Sequence, residues 1–265
     1  MRKRLQTVMR ADARTDLRHA LDPAAFAVEA LGFEPDAWQT KFLRSASRRV
    51  VLCCSRQSGK SSVAAILALH RALYHAGSLV LVVSPSIRQS GELFRKIVDH
   101  VTRLAVAPDL SEESRLSLKL ANGSRVLSLP SSPETIRGFS AASLVIEDEA
   151  AFVPDETYLA IRPMLAVSRG RLVLMSTPFG RRGHFFNEWV NGGDQWERFS
   201  VTAAECPRIS AEFLADERAS LGEWRFRQEY EGAFVETDDQ LFALEAVQAA
   251  ISPDVEPLLL GAHHG

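Results

Sequence analysis

Val51-Leu-Cys-Cys-Ser-Arg-Gln-Ser-Gly-Lys-Ser-Ser62 passes from apolar residues into small polar ones and ends on Gly59-Lys60-Ser61. A phosphate-binding loop of the pattern G-x-x-x-x-G-K-[ST] has these parts: a strand feeding a tight turn whose backbone N–H groups face phosphate oxygens, a lysine for the β- and γ-phosphates, a hydroxyl for Mg²⁺, and a helix start behind them. Gly59, Lys60 and Ser61 fill the last three positions, while Cys54 stands where the first glycine belongs. The flanks supply the rest. Arg49 to Cys54 reads as a short buried strand, and Ser62 to Tyr74 has the apolar spacing of a core-packed helix.

Downstream, Ser78 to Ser86 is an almost continuous apolar run, the pattern of a parallel strand covered on both faces. A helix is expected from about Ile87 to Leu104. Asp109 to Leu120 is polar and irregular; Asn122-Gly123 marks a turn before a strand at Ser124 to Leu129, and Pro130 to Pro133 reads as a loop. The next strand, Leu144-Val-Ile146, runs straight into Glu147-Asp148-Glu149. Phosphoryl transfer needs such an arrangement: an aspartate towards the metal and a glutamate that orients the attacking water. The favoured register is Asp148-Glu149, because Ala150-Ala151-Phe152 behind it lets the chain turn into a helix over residues 155–165; Glu147-Asp148 is the other. Arg171 to Met175 is a fourth apolar strand, ending in Ser176-Thr177-Pro178, a place from which hydroxyls can sense a γ-phosphate. A helix from Arg181 to about Trp189, a strand from Trp196 to Val201 and helical sequence from Ala211 to Tyr230 complete the pattern.

Upstream, a helix is expected from Pro23 through Ala30, then a turn at Pro35 and a second helix capped by Asp36. Trp38 and Gln39 precede the phosphate-loop strand, where a side-chain amide can read both donor and acceptor on adenine's edge. The alternative for this pair is a packing aromatic beside a surface amide. Residues 1–20 are basic and read as a solvated arm. Strands alternating with helices around these motifs predict an α/β fold of the P-loop NTPase (RecA/ASCE-like) type, a mostly parallel sheet with helices on both faces.

Composition agrees with a globular domain. The chain has 265 residues, 46% hydrophobic and 24% charged, and a net charge of −2, so nucleic-acid contacts must come from local patches and not from a global basic field. Three cysteines form no disulfide framework, which fits a reducing compartment such as the cytoplasm. No apolar run reaches the roughly 18 residues of a membrane span, so no membrane contact is expected.

Taken in order, Trp38-Gln39, Cys54-Ser-Arg-Gln-Ser-Gly-Lys-Ser61, Arg137-Gly-Phe-Ser140, Val145-Ile-Glu-Asp-Glu-Ala-Ala-Phe152 and Ser176-Thr-Pro178 resemble the motifs of the ATPase domain of tailed-phage terminase large subunits. The likeness spans about residues 20 to 235. It implies an Mg²⁺-dependent ATPase that moves double-stranded DNA into a procapsid, working as a ring of identical subunits with the portal protein and the small terminase subunit. It further implies that Trp38 and Gln39 serve the adenine and that Ser55, Arg56, Gln57, Ser58, Gly59, Lys60, Ser61 and Ser62 cradle the phosphates. Ser61 and Asp148 would hold Mg²⁺, and Glu149 would orient the water. Arg56 would stabilise the transferred phosphoryl group in cis, with Lys60 beside it. Ser176, Thr177 and Pro178 would couple hydrolysis to DNA movement.

Members of that family continue into a nuclease domain of RNase H-like fold. Glu256-Pro-Leu-Leu-Leu-Gly261 looks like the start of its first strand. The expected organisation is therefore an arm at 1–20, an ATPase domain at 21–235, and a linker with the truncated beginning of a nuclease domain at 236–265, so that nuclease activity is absent from this chain. Two other functions compete: a helicase-like remodelling ATPase, and a catalytically silent remnant that binds nucleotide or DNA.

Overall fold

A computed structural model describes residues 13–105, 108–235 and 250. The expectations placed on residues 1–12, 236–249 and 251–265, most of the basic arm and the start of a nuclease domain, lie outside the described residues. Three helices precede the sheet: α1 (residues 13–21), α2 (Pro23–Glu29) and α3 (Ala37–Arg44). Pro23 occupies the first turn of α2, where its missing N–H costs nothing, and Asp22 Oδ1 accepts the Ala24 N–H at 3.0 Å.

Eight strands form one sheet: β1 (Arg49–Cys54), β2 (Leu79–Ser84), β3 (Leu110–Glu113), β4 (Ser117–Leu120), β5 (Arg125–Pro130), β6 (Leu144–Asp148), β7 (Arg171–Ser176) and β8 (Glu197–Val201). Their spatial order is β3-β4-β5-β2-β6-β7-β1-β8. From β5 through β8 neighbouring strands run parallel; β3 and β4 attach antiparallel at one edge. The crossovers are α4 (Lys60–Tyr74), α5 (Ile87–Arg103), α6 (Pro133–Arg137), α7 (Asp155–Ser168) and α8 (Gly183–Asn191), and α9 (Ala211–Tyr230) closes the described chain.

Alternation along the strands sorts the core into two faces. Val50, Leu52, Val80, Val82, Leu144, Ile146, Val173 and Met175 pack with residues of α2 to α5, while Val51, Leu81, Val83, Val145, Leu172 and Leu174 pack with α7 and α8. With helices on both sides, β2 and β7 are buried at every position, which is why they read as unbroken apolar runs. The period of two carries beyond the apolar residues of β6: Asp148 continues the α4 face and Glu147 the opposite one.

The structure departs from the sequence reading in three places. α4 begins at Lys60, two residues earlier than expected, because Gly59 in the left-handed region (φ +90°) hands the chain directly into the helix. The polar stretch after Asp109 is a hairpin, β3 to β4, which widens the sheet at one edge; in β4, Leu118 and Leu120 are buried while Lys119 is exposed. α6 occupies part of what reads as loop, capped by Ser132, whose hydroxyl accepts the Thr135 N–H. Among the described residues all three cysteines are free, and no helix is long and apolar enough to cross a membrane.

Gly170 sits where α7 hands over to β7, and a Cβ there would lie 2.1 Å from the Ala142 carbonyl oxygen and 2.7 Å from Leu165. Gly170→Ala is expected to destabilise by about 1–3 kcal/mol, the range for overpacking against atoms that cannot yield, read as a lower denaturant midpoint with unchanged slope.

Candidate active site

The strand order places three polar strand ends side by side, since β7 lies between β6 and β1. In parallel α/β sheets ligands bind off the carboxyl ends of the strands. Here β1 ends in the phosphate loop, β6 in Asp148-Glu149 and β7 in Ser176-Thr177. A cleft of about 440 Å³ opens over them, lined by residues 56–62, Glu149, Lys96 and Arg208.

Lys60 Nζ lies 3.1 Å from Glu149 Oε1. Burial works against the Lys60 charge, but Glu149 and Asp148 outweigh it and hold the ammonium above its ordinary pKa. Burial also pushes the Asp148 carboxyl up to about 7, with Glu149 adding to the effect and Lys60 opposing it. Glu149 has left-handed backbone (φ 52°, ψ 46°), a conformation a non-glycine residue holds only where its surroundings fix it, and its N–H donates to Asp148 Oδ1 at 3.1 Å. Ser176 Oγ stands 3.2 Å from Glu149 Oε2 and 2.8 Å from the Thr177 carbonyl, so its single proton can serve either. Thr177 and Pro178 are buried behind it.

Gly59 is favoured by its left-handed conformation, and a Cβ there would lie 2.7 Å from Gln39 Nε2, so that side chain would have to shift. Gln39 is buried, and its Oε1 accepts the Asp36 N–H at 2.9 Å. Trp38 packs against the core beside α2 and α4 and does not line the cleft. Ser55 is buried beneath the loop, its N–H donating to the Val201 carbonyl at 2.8 Å. The Arg56 side chain is paired with Glu229, and its N–H donates to the Glu229 carbonyl at 3.0 Å. The motif residues thus converge, except that Trp38 stands apart, Gln39 is buried against Gly59 without lining the cleft, and Arg56 is tethered to the end of α9.

Three residues of this site carry no motif: Arg208, Lys96 and Glu229. Arg208 grips Asp36 and the Ser58 carbonyl from a position far along the chain, and no local pattern marks such a pairing. Ahead of the phosphate-loop strand, Arg44 is forked onto Asp22 and Arg49 is half-buried, so neither is a free basic surface.

Glu147 resolves onto the other side of β6. It is fully buried and paired with His184 Nε2, while His184 Nδ1 lies 2.9 Å from Asp155 Oδ1 and the Tyr158 ring stacks on the imidazole at 4.5 Å. The Glu147-Asp148 register would therefore draw on a carboxylate that faces away from Lys60.

The donor set fits a magnesium nucleotide. Phosphate oxygens and water supply most ligands of such an ion, leaving one hydroxyl and one carboxylate to the protein; Ser61 lines this cleft, and Asp148 is buried beside Glu149, which does. Among the described residues there is no cluster of three or more His, Cys, Asp or Glu that would make an all-protein metal cage.

Comparison with known proteins agrees with the geometry. Residues 51–249 match the family model of the terminase large subunit, T4likevirus-type, N-terminal. The chain belongs to the terminase large subunit family. It is 28% identical over 259 residues to the terminase large subunit of Thermus virus P23-45, a match covering 84% of this chain and 53% of that protein. The chain thus spans about half the length of the curated relatives it matches. The large terminase ATPase domain of Thermus phage P74-26 superposes with a TM-score of 0.72 at 27% identity, covering 81% of this chain and 100% of that one. The large terminase of bacteriophage HK97 shares the fold, with a TM-score of 0.67 at 16% identity over 81% of this chain and 55% of that one.

The Glu147–His184 pair generates a stability prediction. Burial alone would lower the His184 pKa, but hydrogen bonds and charge from Glu147 and Asp155 outweigh it and hold the value above 6.5. The stability from that charge is fully present below 6.5 and is lost as pH rises through the raised value. His184→Leu leaves Glu147 buried without its partner and should cost about 3–5 kcal/mol, whereas the Glu147→Leu/His184→Leu double variant should cost far less. Denaturant midpoints from about pH 6 to about pH 9 should fall for the wild type relative to the double variant.

Proposed function

We propose that this chain binds ATP with Mg²⁺ in the phosphate-loop cleft, hydrolyses it, and is the ATPase part of a motor that moves double-stranded DNA into a procapsid. The observation that carries this reading is the 3.1 Å pairing of Lys60 with Glu149 beneath a loop of backbone amides, with the Ser176 hydroxyl on the far oxygen of the same carboxylate. Phosphate loop, catalytic carboxylate and coupling hydroxyl are one hydrogen-bonded unit.

In this reading the amides and hydroxyls of residues 55–62 hold the phosphate chain at the start of α4, and Lys60 neutralises the β- and γ-phosphates. Ser61 and Asp148 hold Mg²⁺, which neutralises charge on the phosphate oxygens. Glu149 orients a water in line with the γ-phosphorus and takes its proton as the bond to the β-phosphate oxygen breaks. A triphosphate competes with Glu149 for Lys60, which frees the carboxylate for that water. Arg56 stabilises charge on the transferred phosphoryl group after leaving Glu229, so charge at the reacting centre is linked to the end of α9. Gln39 serves the base through its bond to the Asp36 N–H, and Trp38 fixes the helix that carries it. Ser176, Thr177 and Pro178 pass the state of Glu149 to β7 and α8. Terminase kinship supports double-stranded DNA, the portal protein, the small terminase subunit and further copies of this chain in a ring as partners, and the host cytoplasm as the place of action.

Lys60→Ala and Glu149→Gln should each lower turnover by about 10²-fold or more, while Glu149→Gln keeps nucleotide affinity. Arg56→Ala should cost about 10³-fold in turnover. Phosphate release with and without linear duplex DNA and portal assemblies measures all three, and normal hydrolysis by either of the first two variants would sink the assignment.

A further inference from the structure

The cleft over the phosphate loop continues past it. Gln57 and Arg208 stand in its wall and also in the wall of a second cleft of about 520 Å³, whose other sides are Ile209, Ser210, Phe213 and Tyr230. The two differ in chemistry. The first offers hydroxyls, backbone amides and cations; the second offers two aromatic rings, an aliphatic side chain and a guanidinium. A nucleoside triphosphate divides in the same way, into a polyanion and a flat apolar base.

Arg208 is fixed at the junction. Its Nη1 and Nη2 donate to Asp36 Oδ1 and Oδ2 at 2.9 and 2.7 Å, and Nη2 also reaches the Ser58 carbonyl at 3.2 Å. Asp36 is held in turn by Gln39 through the bond to its N–H. Bonds along the edge of a guanidinium lock its plane and leave its faces for stacking. The Arg208 side chain keeps 51% of its surface exposed where Asp36 keeps 12%, so the cation is anchored without being covered.

The opposite wall is built by a break in α9. Phe213 and Tyr230 are 17 positions apart, which in a straight helix would separate them by about 25 Å. Their ring centroids are 6.1 Å apart. The chain folds back at Gly222, whose φ of 75° and ψ of 164° are open to glycine and strained for other residues. The Arg56–Glu229 contacts then tie this helical hairpin to the phosphate loop.

We propose that the second cleft takes the base of a purine nucleoside triphosphate, stacked on the face of Arg208 and enclosed by Phe213 and Tyr230. This assignment rests on the reading of the phosphate loop as an ATP site. Gln39 is buried and lines neither cleft, so it acts on Arg208 only through Asp36, and the face of the base is left to Arg208.

Calorimetric titration of the full chain with magnesium and either a non-hydrolysable ATP analogue or inorganic tripolyphosphate tests the assignment. Phe213→Ala should weaken the ATP analogue severalfold with tripolyphosphate affinity unchanged, and Arg208→Ala, which also removes a cation from the phosphate cleft, should weaken the ATP analogue about tenfold more than it weakens tripolyphosphate. Arg208→Lys, which keeps a cation for Asp36 but has no flat face, should resemble Arg208→Ala. Equal weakening of both ligands would overturn the assignment, because Arg208 would then only shape the loop through Asp36 and Ser58. Unchanged affinity for the analogue would overturn it as well. If neither ligand binds the wild type, or Lys60→Ala affects neither, the phosphate-loop reading itself fails, an outcome distinct from loss of the base subsite alone.

Discussion

The ion pair between Lys60 and Glu149 is the constraint on which the site depends. Lys60 belongs to the first turn of a helix and Glu149 to a turn after a strand two positions away in the sheet, and each needs the other. A nine-tenths-buried ammonium is tolerated because Glu149 and Asp148 compensate its lost hydration. Glu149 in turn holds left-handed backbone that few non-glycine residues adopt. The pair draws β1 and β6 to a common edge with β7 between them, and the β7 hydroxyl at Ser176 bonds the same carboxylate. A change at any one of the three strand ends is therefore felt at the other two.

The same alternation that builds the core assigns the acidic residues their partners. Leu144, Ile146 and Asp148 share the face covered by α4, and Val145 and Glu147 share the face covered by α7 and α8. Three successive carboxylates thus have three environments: one against His184, one buried behind the loop, one on Lys60. Glu147 links the strand that carries Asp148 to α8, the helix that follows Ser176-Thr177-Pro178. It does so on the side of the sheet away from the cleft, through a buried pair whose charge depends on His184.

Much of this was legible in the sequence where the physics is local. β1, β2 and β7 are buried on both faces, so their apolar runs stand out, and Gly59-Lys60-Ser61 must be contiguous to put amides, ammonium and hydroxyl at one point. The β3–β4 hairpin was not legible: Leu110-Ser-Glu-Glu113 is the edge strand and Ser117-Leu-Lys-Leu120 its neighbour, and at four residues each they are too short to show a period. Five-residue α6 is shorter than two helical turns. Arg208 and Glu229 were invisible for a different reason. Each acts through a partner more than 170 positions away, Asp36 or Arg56, and nothing in the local sequence distinguishes them from other surface charges.

If the ends of β1, β6 and β7 form one nucleotide site, bound nucleotide must be felt at all three. Amide hydrogen exchange of the full chain, with and without magnesium and a non-hydrolysable ATP analogue, reads this directly. Exchange should slow together at residues 55–62, at Asp148 and Glu149, and at Ser176 and Thr177. Protection confined to other parts of the chain, with residues 55–62 unchanged, would contradict it.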